Sequence, residues 1–263
     1  MKKHYSCWVL FLLLGLSRPA LSQQTELTIR GGIDLVNFLG SGATNDLTIK
    51  GNFYEAGTPP AYQFDPFLRN PYSRRVGIGS SFGIRGQRVG QQGGLAAFEV
   101  GVDQASSGRQ VGQFDGTPPL WPGAFQLTES ATGRAGLTRW VIPLFLGIGH
   151  RWRAGAQEHL DFLLGPELGW VIAAHERGEG THSGQYTPTT TPWEININRQ
   201  LQHQLDLRLR ADVTFWIRRL GLNANYSWGI TDLQAELENL SQFYVPGPVH
   251  AQTIRVGIAY RLY

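Results

Sequence analysis

The sequence predicts an all-β fold, an eight-stranded antiparallel up-and-down transmembrane β-barrel of the outer-membrane type with long extracellular loops. Three observations lead to this prediction. One long hairpin has its two faces sorted by polarity, the chain holds eight such alternating segments, and the connections between them are short and long in turn. Alternation alone also occurs in soluble sheets, so the three observations favour a membrane barrel only in combination.

The hairpin over residues 201–230 is the clearest of these segments. On its first arm, apolar residues such as Leu205 and Leu209 alternate with polar ones such as Asp206 and Arg210. Successive side chains of a strand point to opposite faces, so each arm has one apolar and one polar face. Both arms run past the roughly 9–11 residues that a tilted strand needs to cross a bilayer.

Six further segments show the same period-two alternation and bring the total to eight. They lie at about 26–35, 74–85, 95–103, 137–152, 160–172 and 253–263. An even number of strands is typical of a single-chain outer-membrane barrel. Pro143 and Pro166 fall inside two of the segments, and we expect a β-bulge at each because proline cannot donate to the ladder.

The connections between the segments alternate in length. The short ones cover 86–94, 153–159 and 217–219. The long ones are rich in Gly, Pro, Ser and Thr and cover 36–73, 104–136, 173–199 and 231–252. This rhythm is typical of outer-membrane barrels, in which the short turns are periplasmic. It therefore predicts that both termini are periplasmic.

One face of the predicted barrel collects charged residues, and charges facing lipid near the midplane would cost about 2–4 kcal/mol for each Arg or Lys. We therefore expect this face to line the lumen. An eight-stranded interior is just filled by its own side chains, so a plug of ion pairs is favoured over a pore. Glycines between the arginines would make room for the guanidinium groups. The predicted lumen charge network consists of Arg30, Asp34, Arg75, Arg85, Glu99, Asp103, Arg139, Arg151, Asp161, Glu167, Asp206, Arg208, Arg210, Asp212, Arg255 and Arg261.

Aromatic residues near the strand ends predict the girdles that meet lipid headgroups. These residues are Trp140, Trp152, Trp170, Tyr226, Trp228 and Tyr260. Other aromatic residues fall in the long loops, where binding functions concentrate. Two interpretations of the loop residues stay open, a partner-binding surface and self-packing that closes the mouth of the barrel. The loop residues are Phe53, Tyr54, Tyr62, Phe64, Phe67 and Trp121.

The N-terminus is typical of a secretory signal peptide. Lys2 and Lys3 precede a short apolar run over 9–16 and a small-residue cleavage site, which predicts a signal over residues 1–22 and a barrel domain over residues 23–263. Cys7, the single cysteine, lies inside that signal, so the mature chain can form no disulfide. Removing the signal lowers the 23 basic residues to 20, equal to the 20 acidic residues, which excludes an electrostatic case for nucleic-acid binding.

No pattern of residues predicts an enzyme, a metal site or a cofactor. The acids and histidines of the third long loop have a spacing that fits no established ligand pattern. Ser183 lies beside His182 and Ser241 precedes His250, but no orienting acid is indicated for either pair. The residues concerned are His175, Glu176, Glu179, His182, Ser183, Ser241 and His250.

Four stretches resemble the PorT-like family of outer-membrane β-barrels. Residues 139–144, RWVIPL, resemble that family's YLEIPL strand, and residues 165–170, GPELGW, its GPYLGY strand. Residues 225–233, NYSWGITDL, resemble RYNYGLTNI, and residues 255–262, RVGIAYRL, resemble its closing LGYRF strand. The resemblance implies an outer-membrane barrel. The family's namesake is an accessory component of the type IX secretion and gliding apparatus.

The sequence therefore predicts an integral outer-membrane barrel of structural or accessory type that acts through its extracellular loops or rim. The alternatives are a small solute or ion channel and, less favoured, a barrel-rim hydrolase. The expected partners are outer-membrane lipid, the barrel-insertion machinery during biogenesis and an envelope protein complex such as one of the type IX secretion kind.

Overall fold

A computed structural model describes residues 24–43, 47–56, 61–68, 72, 74–117, 127–183, 191–198, 205–233 and 247–262. The predicted signal over residues 1–22 lies outside them. Among the residues that the structure describes, no helix combines the length and the apolar character needed to cross a membrane.

The described residues form one sheet of eleven strands. In chain order these are β1 (Gln24–Leu39), β2 (Leu47–Ala56), β3 (Ala61–Leu68), β4 (Gly77–Val89), β5 (Gly94–Thr117), β6 (Leu127–Arg153), β7 (Glu158–Ser183), β8 (Thr191–Asn198), β9 (Leu205–Ile217), β10 (Leu220–Gly229) and β11 (His250–Arg261).

Eight of the strands close into a barrel. The ring order is β1-β4-β5-β6-β7-β9-β10-β11, and every neighbouring pair in it is antiparallel. The last strand returns to the first, with Val256 opposite Ile33 and Tyr260 opposite Ile29. Neighbours in the ring are also neighbours in sequence once β2, β3 and β8 are set aside. The predicted eight-stranded up-and-down barrel is therefore confirmed.

Three ring strands continue far beyond the rim on the side of the long connections. β5, β6 and β7 span 24, 27 and 26 residues, much longer than the segments predicted from alternation. β2 pairs with the upper part of β5 in parallel, β3 pairs with β2, and β8 pairs with β7. β3 also contacts β8. These strands form an extension sheet beyond the barrel, in regions that the sequence predicted as loops.

The opposite rim has only short turns. β4 and β5 are joined by residues 90–93, β6 and β7 by residues 154–157, and β9 and β10 by Arg218 and Arg219 alone. Arg218 takes a φ of 57°, a left-handed conformation that suits a two-residue hairpin turn. The predicted alternation of short and long connections is present in the structure.

The two strand prolines do not create bulges, which corrects the prediction. Pro143 and Pro166 stay in register with their strands, and each ladder only loses a few paired residues beside the missing N–H. The bulge in the β6–β7 ladder instead lies on β7, where Trp140 pairs with Ala173 but Val141 pairs with Val171. The extra residue inverts the facing of the upper part of β7, so that Glu176 points inward.

The outside of the barrel is an apolar belt between two levels of aromatic residues. Many large apolar side chains of the ring strands are exposed, among them Ile148 at 74% and Ile258 at 69%. Soluble proteins rarely expose an apolar surface of this extent. Trp152 and Tyr260 lie at the short-turn end, whereas Trp140, Trp170, Tyr226 and Trp228 lie toward the long-connection end. Trp140 and Trp152 are twelve residues apart on β6. At about 3.3 Å per residue and a tilt of about 40°, this is about 30 Å, the thickness of a bilayer core.

Closure of the barrel predicts a specific disulfide. Ile33 and Val256 are directly opposite on β1 and β11 and both face outward, so cysteines at both positions should crosslink on oxidation in a chain over residues 23–263, which contains no other cysteine. The crosslink should change the mobility of the denatured protein on a non-reducing gel, and reduction should reverse the change. The matched control carries cysteines at Ile33 and Leu209, which face outward on strands that are not neighbours. Equal crosslinking in both variants would contradict the closed ring.

Candidate functional site

The inside of the barrel holds the charges that the sequence assigned to one face. Every residue of the predicted lumen charge network except Arg75 lies on an inward-facing strand position. Arg75 is exposed and lies two residues before the start of β4, so its assignment to the lumen was wrong. The alternation in the sequence continues outside the strand at this end. Glu26, which the prediction omitted, is fully buried in the lumen.

A lower cluster lies at the short-turn end. Arg151 binds Asp161 through Nε at 2.6 Å and Glu26 through Nη1 and Nη2, each at 2.8 Å. Arg261 adds an ion pair to Glu26 at 3.2 Å and stacks over the ring of Trp216 at 4.3 Å. The indole N–H of Trp216 donates to Asp161 at 3.0 Å. The lower cluster therefore joins β1, β6, β7, β9 and β11 across the barrel.

A middle cluster fills the barrel above it. Asp212 accepts from Arg30 at 2.9 Å, from Arg85 at 2.8 Å and from Arg210 at 2.7 Å. Glu99 receives the same three arginines at 2.6, 2.7 and 2.9 Å. Two carboxylates thus share three guanidinium groups, and each arginine bridges both acids. Such planar forked donors can serve several oxygens at once, which lysine could not do from this confined space.

An upper cluster is tied to the middle one through Arg210. Glu167 accepts from Arg210 at 3.0 Å and also from Arg255 at 3.1 Å and Arg208 at 3.3 Å. Arg255 reaches Asp103 at 2.6 Å, and Arg208 pairs with Asp206 on its own strand. Within the described residues, the three clusters include these ion-pairing side chains: Glu26, Arg30, Asp34, Arg85, Glu99, Asp103, Arg151, Asp161, Glu167, Asp206, Arg208, Arg210, Asp212, Arg255 and Arg261.

Inward glycines leave the space that the large side chains occupy. A Cβ on Gly169 would lie 3.1 Å from Cγ1 of Val141, a tight contact, and one on Gly147 would lie 2.6 Å from the ring of Phe145. Phe145 in turn stacks under Arg210, whose Cζ is 4.5 Å from the ring centre. Glycine is required at these positions because of the lumen's width, as the sequence pattern indicated.

Apolar residues close the lumen beside and above the charges. Leu95, Ala97, Phe145 and Leu163 form a buried cluster near the short-turn end. At the other end, residues of the upper strands and of the connections pack over the mouth and form a mouth cap, in which the hydroxyl of Tyr72 donates to the carbonyl of Leu233 at 3.3 Å. The mouth cap consists of Val36, Phe38, Ala43, Tyr72, Leu137, Ala174, Leu233, Val249 and Ala251.

The space left inside the lumen is small. One cavity of about 20 Å³ lies between the upper cluster and the mouth cap, and another of about 20 Å³ lies beside the middle cluster. Each has room for about one water molecule. Asp34 and Arg139 line the first cavity with buried polar atoms that have no hydrogen-bond partner among the described residues. A water there would satisfy both groups.

The other predicted residues lie apart from the lumen. Phe53, Tyr54, Tyr62, Phe64 and Phe67 belong to β2 and β3 of the extension sheet and not to irregular loops, whereas Trp121 lies outside the described residues. The third-loop acids and histidines do not converge, since Glu176 faces inward and Glu179 outward. His175 bonds Asn198, and His250 bonds the carbonyl of Thr231.

Comparison with solved structures gives weak likenesses. No family model matches the chain, and no curated protein matches it. The chain is similar to the crystal structure of Ail, the attachment invasion locus protein of Yersinia pestis, with a TM-score of 0.35 and 12% identity, over 92% of this chain and 100% of that chain. The same protein in complex with the heparin analogue sucrose octasulfate gives a TM-score of 0.33 and 11% identity, over the same shares. Because these scores are low, we base the fold on the strand pairing alone. The resemblance to the PorT-like family stays a prediction.

Loss of one central arginine should destabilise the barrel strongly. Arg210→Met keeps the packing on Phe145 but leaves Glu99, Glu167 and Asp212 with one cation fewer in a buried site. Removing one partner of a buried ion pair costs about 3–5 kcal/mol. The measurement is the free energy of unfolding by urea in lipid vesicles, followed by heat-modifiable gel mobility.

The matched control for this substitution is Arg153→Met, at an exposed position near the short-turn rim. It should change the free energy of unfolding by less than about 0.5 kcal/mol. An equal effect of both substitutions would show that the lumenal ion pairs do not hold the barrel together.

Proposed function

We propose that this protein is a closed integral outer-membrane barrel of structural or accessory type, which acts through the extension sheet that it carries beyond the membrane. The observation that carries the proposal is the contrast between the two parts. The barrel has an apolar belt about 30 Å high and a lumen filled with ion pairs, whereas three of its strands continue outward and recruit three more. A barrel built in this way holds a surface in place and conducts nothing.

The filled lumen argues against the alternative of a solute or ion channel. The middle cluster spans the barrel from Arg30 on β1 to Asp212 on β9, and both acids in it are bridged by several arginines. The mouth cap covers the upper end. The described lumen cavities hold about one water each, so a permeating ion would have to break buried ion pairs of several kcal/mol.

The extension sheet is the surface best suited to a partner. It has its own small core, formed by Val111, Ala131, Ala135, Trp193 and Ile195, which makes it a folded element and not a set of loops. β3 and β8 pair along one side only, apart from their contact with each other. Unpaired strand edges are the usual sites at which a second chain adds by β-augmentation.

The resemblance to the PorT-like family extends the proposal to an envelope complex of the type IX secretion kind. The four strand motifs build the barrel and do not themselves carry a secretion role, so this finer step depends on the co-purification experiment. With the short turns on the inner side, both termini would be periplasmic, as is usual for barrels whose long connections are extracellular. The described contacts give a rim hydrolase no support, since Nδ1 of His175 bonds the side-chain amide of Asn198 and Nδ1 of His250 bonds the carbonyl of Thr231.

The test is co-purification of a tagged copy from native membranes after mild detergent extraction. We expect envelope proteins to co-purify with the wild-type barrel, and we expect them to be lost when residues 44–71, which include β2 and β3, are replaced by a short glycine-serine linker. The deleted variant should keep its heat-modifiable mobility, because these strands are not part of the ring.

The control replaces Arg218 and Arg219, the two-residue turn at the opposite rim, by Asn-Gly, which suits the same hairpin and should leave the co-purifying proteins unchanged. A wild-type barrel that purifies alone would rule out the complex. Partners that persist in the deleted variant would show that the contact surface lies elsewhere.

A further inference from the structure

The outer face of β5, β6, β7 and β8 changes polarity in regular steps above the upper aromatic level. Residues that are opposite one another in the ladders form rows around the barrel, and rows of outward-facing residues recur every two residues along a strand. Because the strands are tilted by about 40°, each row is inclined to the membrane, and heights are compared along one strand, where successive outward positions are about 5 Å apart. On each strand, the position in the row of Trp140 serves as the reference.

The first row above Trp140 is polar but uncharged. It holds Ser106, Thr138, His175 and Asn198. The hydroxyls of Ser106 and Thr138 are 3.0 Å apart, and His175 bonds the side chain of Asn198. Groups of this kind suit the glycerol and carbonyl level of a lipid leaflet, where water and ester groups replace hydrocarbon.

The second row, about 10 Å above Trp140, contains the first outward charge on these strands. It holds Gly108, Gly136, Arg177 and Asn196. The two glycines leave a flat track beside the exposed Arg177. Arg177 lines a groove of about 800 Å³ on the outer face. Arg134 of the next row and Arg75, which lies just before β4, line this groove as well.

The three arginines of this groove come from three separate parts of the chain. Within the described part of the chain, neither Arg134 nor Arg177 makes an ion pair with a carboxylate, although both are exposed and Glu179 is opposite Arg134. Along β7, Glu179 lies one outward position farther from the barrel than Arg177, and Glu194 is opposite Glu179. On β7, the outward charge nearest the lipid is therefore that of Arg177.

We propose that this groove binds the phosphate groups of a phosphorylated glycolipid, lipid A in chemical class, in the outer leaflet around the barrel. The inference rests on the proposed outer-membrane location. From the barrel outward, the tryptophan level matches the acyl chains of such a lipid, the hydroxyl level matches its esters, and the arginine level matches its phosphates. Arginine binds phosphate through two parallel N–H donors, and the glycine track lets a headgroup lie against the sheet. The lipid thereby anchors the extension sheet at the membrane surface.

The test measures the binding of bisphosphorylated lipid A to the purified full-length mature barrel in detergent micelles, by thermophoresis. Substituting Arg75, Arg134 and Arg177 together by Gln should weaken binding at least about tenfold, because the loss of even one charge-assisted contact lowers the affinity by about a factor of ten. Lipid A without phosphates should bind the wild type as weakly as the variant binds the phosphorylated form. Binding of the wild type should also weaken with added salt.

The matched control substitutes Arg153, Arg218 and Arg219 by Gln, which removes the same charge from the exposed opposite rim and should leave the affinity unchanged. Equal affinity of both triple variants would overturn the inference. So would competition by inorganic phosphate at millimolar concentration with no preference for lipid A, which would indicate a site for free anions. Fractionation of native membranes separates this inference from the proposed function. Absence of the protein from the outer membrane would overturn the proposed function. Presence there, with equal lipid A affinity of the wild type and the groove variant, would overturn only the lipid site.

Discussion

The structure depends on buried pairing between arginine and carboxylate side chains inside a narrow barrel. An isolated charge in this space would be strongly destabilising, so each acid has to meet its arginines in one arrangement only. Because Asp212 on β9 and Glu99 on β5 share Arg30, Arg85 and Arg210, strands on opposite sides of the ring are connected through their side chains. The ion pairs therefore close the lumen and define the register at the same time. Gly147 follows from the same constraint, since a side chain there would clash with Phe145, the ring that packs against Arg210.

The exterior follows from a second constraint, the length of apolar surface that lipid has to cover. Between Trp140 and Trp152 the outward positions of β6 carry no charge, and the charges return only beyond both levels of aromatic residues. Above the upper level, the sheet no longer needs an apolar outer face, which allows β5, β6 and β7 to continue and to recruit β2, β3 and β8. One continuous set of strands thus forms the barrel and carries both the groove proposed to bind phosphate and the surface proposed to bind a partner.

Alternation in the sequence was enough to predict the ring and its lumenal face, because both depend on the same period of two. It could not predict the ends of β5, β6 and β7, where glycine, polar and charged residues replace apolar residues on the outer face. The bulge at Ile172 reverses which side chains of upper β7 face inward. No local sequence pattern predicts this bulge, so Glu176 was not assigned to the interior. Arg75 was placed inside for the opposite reason, since alternation continues past the start of β4. Glu26 lies on the inward phase of the first segment and was identifiable from parity with Arg30.

The most direct measurement is a double-mutant cycle between Arg255 on β11 and Asp103 on β5, which are 2.6 Å apart across the lumen but far apart in sequence. The free energies of unfolding of the wild type, Arg255→Met, Asp103→Asn and the double variant would be compared in lipid vesicles. A lumen held by interlocked ion pairs predicts a coupling energy of at least about 1.5 kcal/mol, with the double variant more stable than the sum of the single effects implies. Additive effects within about 0.3–0.5 kcal/mol would contradict it, because residues that do not interact behave in that way.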